Sequence, residues 1–255
     1  MIHPTAVIHK TAELDSEVEV GPYSVIDQHV RIGRGCRIGA HVVIEGWTEI
    51  GEGCSILHSS SIGTPPQDLK FKGEETRLVI GKRNIFREFV TVNRGTPHGR
   101  GQTLIGDDNF IMAYVHVAHD CIVGSHVVMA NAATLAGHIS IGDHAIIGGL
   151  TGIHQFVRVG AYAIVGGCSA VGQDIPPFVS ASGNRVRLFG LNLVGLTRQG
   201  FSPERIRTLK EAYRILFRSK LTQKEAISKI RADLSGQDVE EFVKFVESSE
   251  RGVCR

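Results

Sequence analysis

The chain has 255 residues, a net charge of +2 at neutral pH and only 6% aromatic residues, a balance that argues against a nucleic-acid binder, and no nucleic-acid motif is present. No apolar run approaches the roughly 20 residues of a transmembrane helix, and the opening MIHPTAVIHK lacks the basic-then-apolar order of a signal peptide, so a cytoplasmic protein is expected. Five cysteines, an odd number, fit reduced thiols rather than a disulfide framework.

Counting by sixes from Ile2 reaches Ile8, Leu14, Val20, Ile26, Ile32, Ile38, Ile44, Ile50, Ile56 and Ile62 without a miss. The count resumes at Ile80, Phe86 and Val92, and again from Ile105 through Ile111, Val117, Val123, Met129, Leu135, Ile141, Ile147, Ile153, Val159 and Val165 to Val171. One six-residue strand and corner cannot bury its apolar face alone, so three are expected to form a triangular coil of about 18 residues, with coils stacked on a shared core. Residues one coil apart should then lie above one another in parallel strands about 4.8 Å apart. The general rule for parallel crossovers favours a right-handed turn. Hexapeptide-repeat proteins, which this pattern resembles, break that rule, so the expected fold is mainly β: a left-handed parallel β-helix over residues 1–178. The residue after the aliphatic is repeatedly glycine, as at Gly21, Gly33, Gly39 and Gly51, which suits a corner needing either positive φ or close backbone approach. Cys36 and Cys54 share one repeat position and read as small inward fillers.

Two interruptions break the count. Between residues 63 and 79 it would place Asp68 and Glu74 in the dry column, where an unpaired carboxylate is too costly, so this segment must leave the coil as a loop. Residues 95–102 shift the register by one and read as a second loop. Long loops on a rigid scaffold are where binding groups concentrate.

Pro176 and Pro177 end the repeat, and residues 179–255 are expected to form a small α-helical C-terminal domain that covers the open end of the coil. Apolar spacing suggests a helix over 188–198. Ser202 followed by Pro203 marks a helix start, Thr222 with Glu225 gives a capping-box signal, and a last helix is expected over 238–248. From Arg185 to Arg231 twelve Lys or Arg face three Glu. Such a segment is either a solvated helix surface or a dock for an acidic partner.

The histidines carry the chemistry. Val117 takes the inward position, so His116 and His119 should lie on the outer surface of one coil; His138 falls one coil above Asp120, and His154 one coil further on. Two chemistries compete for four histidines and an Asp on one patch. Proteins of the gamma carbonic anhydrase type hold zinc with histidines from adjacent coils, but they pair two ligands as H-x4-H, whereas this chain has H-x2-H followed by Asp120. A carboxylate next to His119 instead suits a general base that is oriented and stabilised by its neighbour. A non-catalytic hexapeptide scaffold remains the alternative of a different class; it would have no need of His119, Asp120 and His138 together.

The strings HVAHDC, NAATLAGHISI, GGLTGIHQFVRVGAYAIVGGCSAV, QDLKFKGE, VTVNRGT and GLNLVGLTRQGFS resemble the acyl-ACP–UDP-N-acetylglucosamine O-acyltransferases of lipid A biosynthesis, over essentially the whole chain. The resemblance implies transfer of an (R)-3-hydroxyacyl chain from acyl carrier protein to the sugar 3-hydroxyl, in a homotrimer whose clefts are shared between neighbours. It implies that His119 is the general base, Asp120 its orienting partner and the Gly137 N–H an oxyanion donor. It also implies substrate contacts at Asp68, Lys70, His116, His138, His154 and Gln155, nucleotide contacts at Asn192 and Arg198, and an acyl-length stop at Gly167, where a glycine favours long donors. The family carries histidine where Asn93 and Arg185 stand here. Acyl transfer from a thioester needs no metal, no cofactor and no covalent intermediate when the hydroxyl is activated beside the carbonyl, and no cysteine or serine lies in a nucleophile motif.

Overall fold

A computed structural model describes residues 1–255. The hexads form a left-handed parallel β-helix with three flat faces. The first face has nine strands, from Val7–Ile8 to Ala170–Val171; the second has eight, from Glu13–Leu14 to Arg158–Val159; the third has ten, beginning at Glu19–Val20. Val7 pairs with Val25, and Val25 with Val43, the expected one-coil offset. Ser55 pairs with Ile85, and Ile85 with Phe110. The offset lengthens there because residues 65–76 and 94–101 leave the coil. The counted aliphatics from Val20 to Val171 are buried in one continuous core, with Cys36, Cys54 and Cys121 as its small fillers. Ile2 is exposed and Ile8 and Leu14 are only partly buried, at the end of the stack opposite the helices.

The corners divide their work between two positions. Positive φ falls three residues after the inward aliphatic, on residues such as Tyr23, His41, Asp108, Asp120, His138 and Phe156, despite the cost of that region for side chains with a Cβ. The glycine after the aliphatic is there for close approach instead. A Cβ on Gly21 would lie 2.7 Å from the Gly39 carbonyl carbon of the next coil.

Past the two prolines, Val179–Ser182 still pairs in parallel with Ile164–Val165 and extends the third face. The helix expected over 188–198 is present only in its second half. Arg187–Leu191 is a strand, antiparallel to Val179–Ser182, and helix α1 spans Leu193–Arg198. Leu188 and Leu196 are both buried, one from the strand and one from the helix, which mimicked helical spacing; the strand covers an edge that would otherwise expose unpaired backbone.

Helices α2 (Pro203–Arg218), α3 (Gln223–Asp233) and α4 (Gln237–Glu247) follow. The Ser202 cap with Pro203 and the Thr222–Glu225 capping box are present as expected. Phe178, at the last corner, is fully buried with its ring 5.9 Å from Phe201 and 6.5 Å from Phe242. Arg158 locks the arrangement by pairing with Asp174 at 3.0 Å and donating to the Phe245 carbonyl. No helix is long and apolar enough to cross a membrane.

Candidate active site

Both loops leave the coil at the edge between the first and second faces, and His119–Asp120, Gly137–His138 and His154–Gln155 stack along that same edge. His119 Nδ1 is 2.8 Å from Asp120 Oδ2. Asp120 is fully buried, and its carboxylate also accepts from the Thr96 N–H at 3.1 Å, the Thr96 hydroxyl at 2.6 Å and the Arg100 N–H at 2.8 Å. Burial alone would raise its pKa, but the bonds from His119, Thr96 and Arg100 outweigh it and hold the group at about 2, so it is an anion throughout the neutral range. The sequence marks the loop over 95–102 but not the roles of Thr96 and Arg100 within it. The only signal was the register shift.

The His119 ring lies against Gly137, where a Cβ would approach its Cε1 to 2.5 Å. His138 meets it edge-on at 5.1 Å, stacks on Phe156 at 4.5 Å, and places Nε2 3.8 Å from Asp120. His116 bonds Thr91 Oγ at 2.7 Å. Burial pushes the pKa of both His116 and His138 down, which favours neutral rings that can accept or donate a hydrogen bond. Asp68, on the first loop, is close enough for its charge to act on His138. His119, Asp120 and His138 present ligand atoms within 4.8 Å of one another, as a metal site would. The carboxylate, however, already accepts from Thr96, Arg100 and His119, which suits an orienting anion better than a metal ligand.

The outward positions of the first face run His116, Thr134, Gly152, Ala170, passing from a ring to small residues away from the dyad. They open into a groove of about 670 Å³ whose lining includes Thr134, Gly152, His154, Asn184 and Arg185. His154 is therefore a groove residue, bonded to Arg251 at 3.3 Å, rather than a member of the tight cluster. Gln155 is exposed beside it. Asn93 is buried and donates to Thr64 Oγ and the Pro65 carbonyl, both at 2.9 Å, so it anchors the first loop. Beneath that loop, the Arg94 guanidinium sits between the Trp47 and Phe71 rings. Lys70 lies exposed on the first loop, with its N–H bonded to Asp68 Oδ1.

Three of the expected residues lie elsewhere. Gly167 is at the edge between the third and first faces, next to Gly149 of the preceding coil. Asn192 caps α1 and donates to the Tyr162 carbonyl at the edge between the second and third faces, so both ends of its amide are engaged. Arg198, in the last turn of α1, is exposed and carries no ion pair.

Residues 174–254 match the second domain of UDP-N-acetylglucosamine O-acyltransferases, and residues 29–64 and 102–137 match the bacterial transferase hexapeptide family. The chain is 56% identical to the acyl-[acyl-carrier-protein]–UDP-N-acetylglucosamine O-acyltransferase of Thermodesulfovibrio yellowstonii, over all of this chain and 99% of that one. Among solved structures it resembles LpxA from Acinetobacter baumannii, at 44% identity and a TM-score of 0.97 over 100% of this chain and 99% of the other. LpxA from Bacteroides fragilis gives 42% identity and a TM-score of 0.98 over the whole of both chains. With full-length identity at this level and a dyad built where the repeat meets its loops, the chain belongs to the acyl-[acyl-carrier-protein]–UDP-N-acetylglucosamine O-acyltransferase family.

Proposed function

We propose that this acyltransferase moves an (R)-3-hydroxyacyl chain from acyl carrier protein to the 3-hydroxyl of UDP-N-acetylglucosamine, the first step of lipid A assembly, with His119 as general base. The observation that carries this reading is the 2.8 Å bond between His119 Nδ1 and the buried Asp120 anion. With Nδ1–H donated to the carboxylate, Nε2 keeps its lone pair. It takes the proton of the sugar hydroxyl as that oxygen attacks the thioester carbonyl. The tetrahedral intermediate then collapses with cleavage of the C–S bond, and the departing thiolate recovers the proton from His119. The Gly137 N–H beside the ring is an oxyanion donor, a type of contact typically worth about 2.7–4 kcal/mol.

Asp68 and Lys70 of the first loop, with His116, His138, His154 and Gln155, bind substrate along the edge and groove. The small residues of the first face leave room for a long acyl chain, and the glycine pair Gly149–Gly167 at its far edge forms the length stop. Arg198 binds the diphosphate, for which a guanidinium is well shaped, and Asn192 contributes by fixing α1. Because Arg198 and Asn192 belong to a different edge from His119, one cleft containing them all needs a neighbouring copy, which supports a homotrimer with shared sites. The acyl carrier protein docks on the basic groove of α2.

An acyl-transfer assay with UDP-N-acetylglucosamine and hydroxyacyl carrier protein tests the reading. His119→Ala is expected to lower turnover by at least about 10²-fold, with the coil still folded because the ring lies outside the aliphatic core. Retention of more than a few per cent of activity would overturn the base assignment. A wild-type protein that transfers nothing would favour the scaffold alternative.

A further inference from the structure

In the second excursion, residues 94–101, three donors converge on one side chain, the Asp120 carboxylate. We propose that this loop is the positioning element of the His119–Asp120 pair, with Thr96 as its central residue; the inference rests on the general-base reading above.

Asp120 occupies the positive-φ corner position of its coil. On another edge, Asp108 holds the same repeat position and turns outward to pair with Arg83 at 2.7 Å. Asp120 is instead fully buried beneath the loop, a place where an ionised carboxylate persists only with a full set of donors. The loop supplies three: the Thr96 N–H, the Thr96 hydroxyl and the Arg100 N–H. His119 supplies the fourth.

The loop is itself held shut. The Gly99 and Gly101 N–H groups donate to the Thr96 carbonyl at 3.2 and 3.0 Å, and the Gly95 N–H donates to the Arg77 carbonyl at 3.1 Å. Gly99 lies directly on the carboxylate, where a Cβ would come within 2.5 Å of Asp120 Cγ. From below, Asp120 N–H donates to Thr103 Oγ at 2.9 Å. Backbone and side chain of Asp120 are thus both fixed, and Oδ2 faces His119 Nδ1. Thr96 touches no substrate in this scheme. It acts through Asp120 by keeping His119 in the one tautomer that leaves Nε2 free.

Steady-state kinetics on Thr96→Val, Thr96→Ser and Gly99→Ala, each in the wild-type and Asp120→Asn backgrounds, test this. Thr96→Val loses one charge-assisted hydrogen bond and is expected to lower kcat about ten- to a hundredfold, with KM for both substrates within about twofold. Thr96→Ser, which keeps the hydroxyl, is expected to restore kcat to within about threefold. In the Asp120→Asn background Thr96→Val should cost less than about twofold, since its effect runs through that carboxylate. Gly99→Ala displaces the carboxylate by another route and keeps the test sharp should Thr96→Val fail to fold. An unchanged kcat in Thr96→Val and Gly99→Ala, or an equal penalty in both backgrounds, would overturn the proposal. A His119→Ala protein that stays active would instead remove the base reading beneath it, so the two failures are distinguishable.

Discussion

At position 137 the chain needs a residue with no side chain, and the reason lies in position 119. A Cβ there would fall 2.5 Å from His119 Cε1 and 2.8 Å from its Nε2, so the ring would have to swing away from Asp120. Gly137 is outside the positive-φ set, so alanine meets no backbone obstacle and the clash with His119 is isolated from strain. Gly137→Ala is therefore expected to fold with an unchanged thermal midpoint and to lose roughly 10²-fold in kcat, the scale of a 1 Å misplacement of a catalytic group. Activity near the wild-type level in this variant would mean that His119 works from some other rotamer. In the sequence Gly137 was one glycine among thirty; only the family resemblance gave it a role. His119 and Asp120 were legible without that help, because Val117 fixes which residues of the coil face outward. Thr96 was not legible, since its bond to Asp120 joins residues 24 apart through a turn that no periodicity describes.

At the scale of elements, the coil was readable because a six-residue period admits one solution for its apolar residues, and the first loop was readable because Asp68 and Glu74 broke that period with charge. The strand Arg187–Leu191 was not. Five residues of strand followed at once by a short helix gave Leu188, Leu191 and Leu196 a spacing that neither element has alone. The basic tail also needed coordinates. Arg205 is tied to Asp238 at 2.7 Å, Arg214 to Glu211, and Arg231 to Glu240 and Glu247, so much of the apparent charge is internally paired. Arg207, Lys210 and Arg218 carry no ion pair and line a groove of about 590 Å³ along α2. Electrostatic attraction of an acidic carrier protein should therefore depend on these three. Arg207→Glu with Lys210→Glu is expected to raise the apparent KM for the acyl donor about tenfold and to flatten the salt dependence of the rate, leaving the KM for the sugar nucleotide unchanged. Unaltered donor kinetics would return α2 to the status of a solvated surface.

At the scale of the molecule, the prism distributes the residues proposed for catalysis, acyl length and nucleotide binding in a way that a single copy does not reconcile. His119 and Asp120 lie on one edge, Gly167 on a second, and Asn192, with the α1 helix it caps, on the third. A rigid stack with a fully buried core of aliphatics has no hinge by which these edges could close on one another. Flat faces packed side by side around a threefold axis would place the His119 edge of one copy against the α1 region of the next. This arrangement makes a prediction that no single-chain site can satisfy. If each cleft takes His119 from one copy and Arg198 from its neighbour, His119→Ala and Arg198→Ala are each inactive as pure assemblies, yet a mixture contains clefts in which neither residue is altered. With equal co-expression under two affinity tags and random association, such clefts form about a quarter of the total. Because each mixed trimer holds one such cleft in three, the doubly tagged fraction is expected to recover about a third of wild-type activity, each intact cleft turning over at the wild-type rate. Mixed assemblies as inactive as either parent would place His119 and Arg198 in the same copy's cleft, and the shared-site trimer would have to be abandoned.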